Sequence, residues 1–489
     1  MSAPHYRYAC LSFVICMAAL FTACGSGSNN SSPSPTPSPS GAGKWTWWSG
    51  SNLVGASGAY GALGVGVSSN VPGAREFAAK WTDTSGNLWL FGGDGVDAAG
   101  TGGLLNDLWR FNPTTRVWVW MGGSSTQGAA GNYGTLHVAD PGNQPGARQN
   151  PVTWRDGSGK IWLFGGRGFA SKAGKLGLLN DLWMFDPSTG NWTWYGGANV
   201  TNSSGTYGTR GVADVANAPG ARENAVAWVD PAGKLWLFGG SGMDSTSHGP
   251  GLLNDLWMYD PAAGTWTWVN GDQTAGTYGT YGSALFPPSG GTPGARQSAA
   301  AWADNSGNLW LFGGYGYDSA QVLVTDPLPN VGMLNDLWEY SPKTNAWTWI
   351  MGSYLAGAGG SYGTKGIDAS SNTPGSRAGS IFWTDKNGTF WLLGGNYFND
   401  LWRFDPDSLK WTWVSGSNTA AAPGDYGKVG VTNASNVPGG RLNGASWVDA
   451  QGVFWMFGGK GYDSTGLIPV VPPVPVYPGL LNDMWAYRP

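Results

Sequence analysis

Six tandem copies of one sequence pattern extend from residue 45 to the end of the chain. Each copy contains PGAR or a close variant, then a double glycine and then NDLW or NDMW, and six Trp-X-Trp triplets complete the pattern. A pattern repeated at this period indicates an architecture in which each copy is one structural unit. The repeat is also circularly permuted: the first triplet, Trp45 to Trp47, has no unit before it, and the last unit ends without a triplet.

Each unit contains four short runs with the pattern of β-strands, as in NAVAWVD, KLWLFGG, NDLWMYD and GTWTWVN of the third unit. Large apolar residues alternate with small or polar ones, and the turn dipeptides between the runs are typical of antiparallel neighbours. Four strands in each of six units predict an all-β fold, a six-bladed β-propeller. The N-terminal strand, residues 45–48, is expected to close the ring as the fourth strand of the last blade, which leaves no blade edge open.

Composition supports this fold and excludes one class of partner. The chain of 489 residues has 82 Gly and 31 Trp but only 11% charged residues, as expected for many short strands joined by tight turns. The formal net charge is −4, and no run of Lys or Arg could neutralise a phosphate backbone. Nucleic acid is therefore not an expected partner.

The double glycine after the second strand, the aromatic residue of the third and the Trp of the fourth resemble the kelch repeat, as found in galactose oxidase and in kelch adaptor domains. The resemblance covers residues 45–489, with units of about 73 residues instead of the usual length of about 50. The predicted function is that of a binding or scaffolding module at the bacterial cell envelope, which takes its ligand on the face that carries the long loops. The alternative that the resemblance implies is a propeller that binds or modifies carbohydrate, as galactose oxidase and the six-bladed sialic acid mutarotases do.

The sequence does not support the copper chemistry of galactose oxidase. That site requires two His, two Tyr and a Cys crosslinked to one Tyr, whereas the repeat region has no Cys, and its two histidines, His137 and His248, belong to different units. The sequence shows no paired carboxylates at a readable spacing, so no catalytic residue is assigned. We therefore expect a protein that is not an enzyme and needs no cofactor.

The first 43 residues have the composition of an export signal and a tether. Residues 1–23 resemble a bacterial lipoprotein signal peptide, in which Cys24 carries the lipid; an ordinary secretory signal is the alternative. Residues 24–43, rich in Ser, Pro and Gly, are typical of a flexible linker, so residues 44–489 form the propeller. The prediction is an exported monomer that is attached to the membrane only by lipid, with the outer membrane as the expected site and its domain in the periplasm or at the cell surface.

Residues that occur in every unit are interpreted first as structural. Thirty of the tryptophans occupy five fixed places per unit, where they would fill the space between blades. One arginine per unit could either bond carbonyls of a neighbouring blade or form a positive ring at the central channel, as an alternative ligand site. The ND aspartates are interpreted as turn formers and the Tyr of each YG pair as structural. The six arginines are Arg75, Arg148, Arg222, Arg296, Arg377 and Arg441.

Only one segment of the unit varies in length. The stretch between the double glycine and ND has 12, 13, 13, 20, 3 and 22 residues in successive units, and it lies on the same face as the long connections between units. Because variable loops carry function, a ligand site is predicted where the shortest loop leaves a notch between two long ones. The alternative is that the long loops fill this notch. Its proposed ligand-binding residues are Tyr315, Tyr317, Tyr397, Phe398, Tyr462 and Tyr477.

The expected ligand is a protein or a glycan of the cell envelope. Repeated Gly-X-Asp steps at Asp97, Asp244, Asp318 and Asp463 raise the question of calcium, but no further oxygen ligands lie nearby in sequence, so Asx-turns are the interpretation and no metal site is predicted.

Overall fold

The computed structural model describes residues 42–171, 175–246, 248–282, 291–319, 331–465 and 478–489. Within these ranges the secondary structure is thirty β-strands in six antiparallel sheets, with no helix. None of the described residues forms a helix that could cross a membrane. The sheets are the six blades of a β-propeller, so the predicted fold class is confirmed.

The chain starts in the last blade and then builds the others in order. The first strand is β1 (Trp45–Ser49). Blade one contains β2 (Arg75–Glu76), β3 (Ala79–Thr82), β4 (Leu88–Val96), β5 (Gly102–Asn112) and β6 (Val117–Gly122). Blade two contains β7 (Arg148–Gln149), β8 (Val152–Arg155), β9 (Ile161–Phe169), β10 (Leu176–Asp186) and β11 (Asn191–Gly196). Blade three contains β12 (Arg222–Glu223), β13 (Val226–Val229), β14 (Leu235–Gly242), β15 (Gly251–Asp260) and β16 (Thr265–Asn270).

The remaining three blades follow the same plan with one variation. Blade four contains β17 (Arg296–Gln297), β18 (Ala300–Ala303), β19 (Leu309–Tyr317), β20 (Val331–Ser341) and β21 (Ala346–Met351). Blade five contains β22 (Asp368–Ala369), β23 (Ile381–Thr384), β24 (Phe390–Leu393), β25 (Leu401–Asp405) and β26 (Lys410–Ser415), with β22 on its outer edge beside β26. Blade six contains β27 (Arg441–Leu442), β28 (Ala445–Val448), β29 (Phe454–Gly461) and β30 (Gly479–Tyr487), and β1 is its outer strand.

The ring closes as the circular permutation predicts. Strand β1 pairs antiparallel with β30, with Trp45 opposite Tyr487 and Trp47 opposite Trp485. The first strand of the chain thus forms the outer edge of the last blade, and the predicted closure is confirmed.

Tight turns on one face of the propeller are held by an aspartate that caps the turn. After β3, Asp83 accepts hydrogen bonds from the backbone N–H of Ser85 and of Asn87, both at 2.9 Å, and from the indole of Trp89 at 2.8 Å. Gly86 in the same turn has φ +79°, a left-handed conformation that glycine adopts without strain. Short turns of this kind lie on one face of the propeller. The long connections therefore lie on the opposite face, which we call the loop face.

The core consists of six apolar layers, each between two neighbouring blades. The layer between blades one and two, for example, contains Trp81, Trp89 and Phe91 from one blade and Trp183 and Trp192 from the other. Inner-strand tryptophans also donate hydrogen bonds across these layers, as Trp154 does to the carbonyl oxygen of Trp236 at 2.9 Å. The tryptophans therefore fill the space between blades as predicted, and the N–H groups of some of them bond to the next blade.

The inner strand of most blades is interrupted where the blades meet around the axis. Six residues at the same place in each unit have positive φ, and five backbone hydrogen bonds of 2.8–3.1 Å join them in a chain that runs through all six blades. We call these residues the axial ring: Phe77, Asn150, Asn224, Ser298, Gly379 and Asn443. The axial ring separates the part of the central channel near the loop face from the part near the tight turns.

Candidate functional site

The six repeated arginines are buried inside their own blades. Arg222 is 1% exposed, and its guanidinium forms a bidentate ion pair with Asp255, with N–O distances of 2.6 and 2.7 Å. Two further donors bond the carbonyl oxygens of Gly220 and Gly239. The same arrangement joins Arg75 to Asp107, Arg148 to Asp181, Arg296 to Asp336, Arg377 to Asp400 and Arg441 to Asp483.

Each ND aspartate is the centre of a network. Asp255 also accepts hydrogen bonds from the hydroxyl of Tyr207 and from the indole of Trp257, both at 2.7 Å. Burial alone would lower the pKa of Arg222, but the charge and hydrogen bonds of Asp255 outweigh it, so the pKa of Arg222 is raised. Burial, followed by the charge of Asp255, raises the pKa of Tyr207, so its hydroxyl keeps the donated proton.

This geometry revises two interpretations made from the sequence. The arginines bond groups of their own blade, not carbonyls of a neighbouring one, and the ND aspartates are ion-pair partners instead of turn formers. Because the six arginine side chains are at most 1% exposed, the structure does not present them to the channel as a positive ring.

The residues predicted for the notch lie on blades four to six. The rings of Tyr397 and Tyr462 meet edge to face at 5.9 Å across blades five and six, and the Phe398 ring lies 5.0 Å from the guanidinium of Arg377. Tyr317 instead contacts Tyr278 at 5.2 Å. The structure thus brings two of the predicted aromatic residues together. Tyr477 and Cys24 lie outside the described residues.

Tyr315 occupies a different position from the other predicted residues. It follows the double glycine of its unit directly, is 37% exposed, and lies opposite Gln297 in the inner strand. In four other blades the residue after the double glycine is likewise opposite the residue after the repeated arginine. These pairs are Glu76 with Asp94, Gln149 with Arg167, Glu223 with Ser241 and Leu442 with Lys460.

Charged residues concentrate at these paired positions, at the loop-face end of the inner strands. We call Glu76, Asp94, Arg167, Glu223 and Lys460 the channel-mouth cluster. Directly opposite residues of an antiparallel pair lie on one face of the sheet, so the carboxylates of Glu76 and Asp94 are neighbours. The structure therefore holds a pair of carboxylates that sequence spacing did not reveal.

Both carboxylates of blade one hold their protons more tightly than in water. Burial raises the pKa of Glu76, against the effect of a 2.8 Å hydrogen bond from Asn443 and the charge of Lys460. Burial also raises the pKa of Asp94, against the charges of Lys460 and Arg167. A neighbouring pair of carboxyl groups, each with its pKa raised by burial, is the kind of arrangement that serves proton transfer.

The cluster is assembled from four blades. Lys460 belongs to blade six and Arg167 to blade two, on either side of the carboxylates of blade one. Glu223 of blade three accepts a hydrogen bond from Gln149 of blade two at 2.9 Å. The two cations can contact an anionic ligand, and the carboxyl pair beside them can transfer protons to and from it.

Sequence reasoning missed this cluster because it compared loop lengths and not residue types. The double glycine and the arginine occur in every unit, but the residue that follows each of them changes from unit to unit. A change of residue at a fixed place in a repeat is the signal that would have identified the channel-mouth cluster.

The Gly-X-Asp steps serve as turn caps. Asp97 accepts backbone hydrogen bonds from Ala99 and Thr101 at 2.9 Å, and its other oxygen accepts one from Gln127. Asp244 and Asp463 make equivalent bonds in their blades. In the part of the chain that the structure describes, no group of three or more His, Cys, Asp or Glu could hold a metal ion.

Comparison with known families identifies the repeat. Residues 138–353 match the family model described as the KLHDC2/KLHL20/DRC7 Kelch-repeats domain. These residues are kelch repeats. The resemblance seen in the sequence is thus confirmed, and the kelch repeats form blades of a six-bladed propeller.

Curated relatives of the kelch propeller are enzymes by name. The chain is 30% identical over 215 residues to N-acetylneuraminate epimerase of Escherichia coli O9:H4 (strain HS), of Escherichia coli (strain K12) and of Shigella flexneri. The match covers 40% of this chain and 57% of each relative, so the chain spans just over half the length of the relatives it matches.

Proposed function

We propose that this kelch propeller binds a carboxylated sugar at the channel-mouth cluster and interconverts its two anomers. The observation that carries the proposal is the pair of carboxyl groups, Glu76 and Asp94, placed between the cations Lys460 and Arg167. The similarity to N-acetylneuraminate epimerases supports the choice of an acidic sugar. This proposal departs from the expectation of a protein without enzymatic activity.

The chemistry requires one proton donor and one proton acceptor. To open a cyclic sugar, a base removes the proton of the anomeric hydroxyl while an acid protonates the ring oxygen; closure on the other face reverses both transfers. Glu76 and Asp94 suit these roles because they lie directly opposite each other in β2 and β4 and burial raises the pKa of each. Lys460 and Arg167 would bind the sugar carboxylate, and their charges keep one carboxyl available as a base.

We expect Asp94→Asn and Glu76→Gln to slow anomer exchange of N-acetylneuraminate by about 100-fold, because each removes one proton-transfer group. Lys460→Met should instead weaken binding by about tenfold, since it removes one charged contact. Exchange NMR measures the first effect and calorimetry the second. Asp368→Asn, an exposed carboxylate on the outer edge of blade five, is the matched control and should leave both unchanged.

Three other results would contradict the proposal. The parent protein could fail to accelerate exchange and fail to bind the sugar, or the Asp94 and Glu76 variants could keep full activity. A partner whose binding is lost in Tyr397→Ala but retained in Lys460→Met would assign the ligand site to the notch between blades five and six, where Tyr397 contacts Tyr462.

We also propose that the propeller is exported and attached to the membrane through lipid on Cys24. The support is the sequence of residues 1–43, which resembles a lipoprotein signal followed by a linker rich in Ser and Pro. Its place would be the outer membrane, with the domain in the periplasm or at the cell surface.

Replacing Cys24 by Ser should release the propeller from membranes while leaving its melting temperature unchanged, because the linker separates the anchor from the fold. The measurement is the distribution between the membrane pellet and the supernatant after a high-salt wash, with the parent and Cys16→Ser as controls. A Cys24→Ser variant that still pellets with membranes would disprove lipid attachment at this residue.

A further inference from the structure

A cavity of about 350 Å³ occupies the central channel on the tight-turn side of the axial ring. It is lined by inner strands β3, β13, β18, β23 and β28, and an adjoining cavity adds residues of β8, so all six blades contribute to the wall. This space is distinct from the channel-mouth cluster, which lies on the other side of the axial ring. Its volume is sufficient for a small organic molecule.

One cationic side chain reaches the interior of this cavity. At one level of the channel the six inner strands present Lys80, Thr153, Ala227, Ala301, Phe382 and Ser446. The Nζ of Lys80 bonds the Ser446 hydroxyl at 2.5 Å and lies 4.9 Å from the centre of the Phe382 ring. The lysine is half-buried, so it remains accessible from the cavity.

Lys80 has no counter-ion among the described residues, whose ion pairs all involve other cations. Two carboxylates border the adjoining cavity, but both are engaged in their own turns: Asp83 bonds Trp89 and Asp449 bonds Trp455. Burial lowers the pKa of Lys80 to about 8, so the amine is still mostly protonated at neutral pH. An ammonium group in a confined space without a counter-ion favours the entry of an anion.

The rest of the wall restricts what kind of anion fits. At the level of Lys80 the wall includes the methyl groups of Ala227 and Ala301 and the ring of Phe382, which suit an apolar body. The hydroxyl of Thr153 in the next blade is engaged, because it donates to the carbonyl oxygen of Lys80. Ser446 is already bonded to the carbonyl oxygen of Phe382, so Lys80 supplies the free charged donor. A ligand with several negative charges would have only Lys80 to pair with, and an uncharged ligand would leave Lys80 without a counter-ion. A ligand with one negative charge therefore fits best.

We propose that the turn-side cavity of the central channel is a second binding site, which takes a small monocarboxylate with an apolar body against Phe382 and its negative charge on Lys80. The site does not depend on the function proposed for the channel mouth, because it uses none of the same residues.

Benzoate is a suitable probe, with uncharged benzamide as its isosteric control. Benzoate should bind the full propeller in calorimetry and benzamide at least about tenfold more weakly, since benzamide lacks the charge that pairs with Lys80. Lys80→Met should lose benzoate affinity by a similar factor, whereas the exposed Lys343→Met should bind like the parent. Removing a half-buried charge that has no counter-ion is not expected to unfold the protein, and a melting curve checks this.

A second measurement needs no variant. Benzoate should slow acetylation of Lys80 in the parent protein by several-fold, as read by peptide mass spectrometry, while acetylation of Lys343 stays constant. The proposal is overturned if benzoate does not bind at millimolar concentration, if benzamide binds equally well, if Lys80→Met retains parental affinity, or if acetylation of Lys80 is unaffected.

Discussion

Deleting residues 1–50 will prevent the propeller from folding stably, whereas deleting residues 1–41 will leave its melting temperature unchanged. The two deletions differ by nine residues, 42–50, which include strand β1. That strand is the outer edge of the last blade, paired to β30 over Trp45 to Ser49. Its loss would expose a long unpaired edge on β30, which also favours aggregation.

The packing of β1 sets the size of the effect. Trp45 is 2% exposed, and its ring contacts Tyr487 at 4.9 Å and both Trp383 and Trp485 at 6.4 Å, so it joins blade six to blade five. Trp47 packs edge to face on Tyr426 at 5.1 Å. Removing a buried Trp such as Trp45 costs about 3–5 kcal/mol. With the contacts of the half-buried Trp47 and a strand's hydrogen bonds added, the loss approaches the whole stability of a typical domain, about 5–15 kcal/mol.

Thermal unfolding followed by near-UV circular dichroism distinguishes the two truncations. A full-length Trp45→Ala variant is the intermediate control and should melt between them, because it keeps the strand but loses one anchor. A peptide of residues 42–50 added to the longer truncation should restore part of the signal if the groove on β30 is otherwise intact. Equal melting temperatures for the two truncations would show that β1 contributes little.

The fold was predictable because its determinants are local and repeated. The alternation of residues in KLWLFGG and the turn aspartates act within one blade, and the permuted triplet at Trp45 shows where the ring closes. The interruption of the inner strand was harder to predict. Asparagine tolerates positive φ, which fits Asn150, Asn224 and Asn443, but phenylalanine rarely adopts it. The positive φ of Phe77 at the same place is explained only by the backbone hydrogen bonds that join the six blades around the axis.

The candidate site was less predictable because its contacts cross blades. Asp94 and Arg167 are neighbours in space but are separated by one full repeat in the sequence. No pattern within one repeat predicts which blades bring their side chains together at the channel mouth. Residue types at fixed places carry this information, and Lys80 is a further example, since the same place holds Thr153 and Ala227 in the next two units. In a propeller, therefore, the repeated residues specify the fold and the exceptions mark the sites.

The second large effect concerns the buried ion pairs, for which blade three offers a clean test. We expect Asp255→Asn to lower the free energy of unfolding by about 3–5 kcal/mol, because it leaves the charge of Arg222 buried without a counter-ion. One carboxylate oxygen of Asp255 accepts hydrogen bonds from Arg222, from the hydroxyl of Tyr207 and from the indole of Trp257. The neutral amide of Asn would be a poorer acceptor for all three donors.

Two matched variants separate the charge from the hydrogen bonds. Tyr207→Phe keeps the ion pair and removes one hydroxyl, so it should cost about 1 kcal/mol. The double variant Arg222→Met with Asp255→Leu removes both charges and should be less destabilised than Asp255→Asn alone, since replacing a buried pair by apolar groups is often tolerated while breaking it is not. Urea unfolding of the three variants, compared at equal m-values, gives the free energies.

The outcome decides what the repeated arginine and aspartate do in all six blades. If Asp255→Asn costs more than both Tyr207→Phe and the double variant, the pair is a structural element whose two charges require each other, as the equivalent pairs from Arg75–Asp107 to Arg441–Asp483 would be. If Asp255→Asn costs less than Tyr207→Phe, Arg222 tolerates burial without a counter-ion, and its charge would then need another explanation. Structural pairs of this kind would leave ligand recognition to residues that differ between blades, such as Asp94 and Lys460.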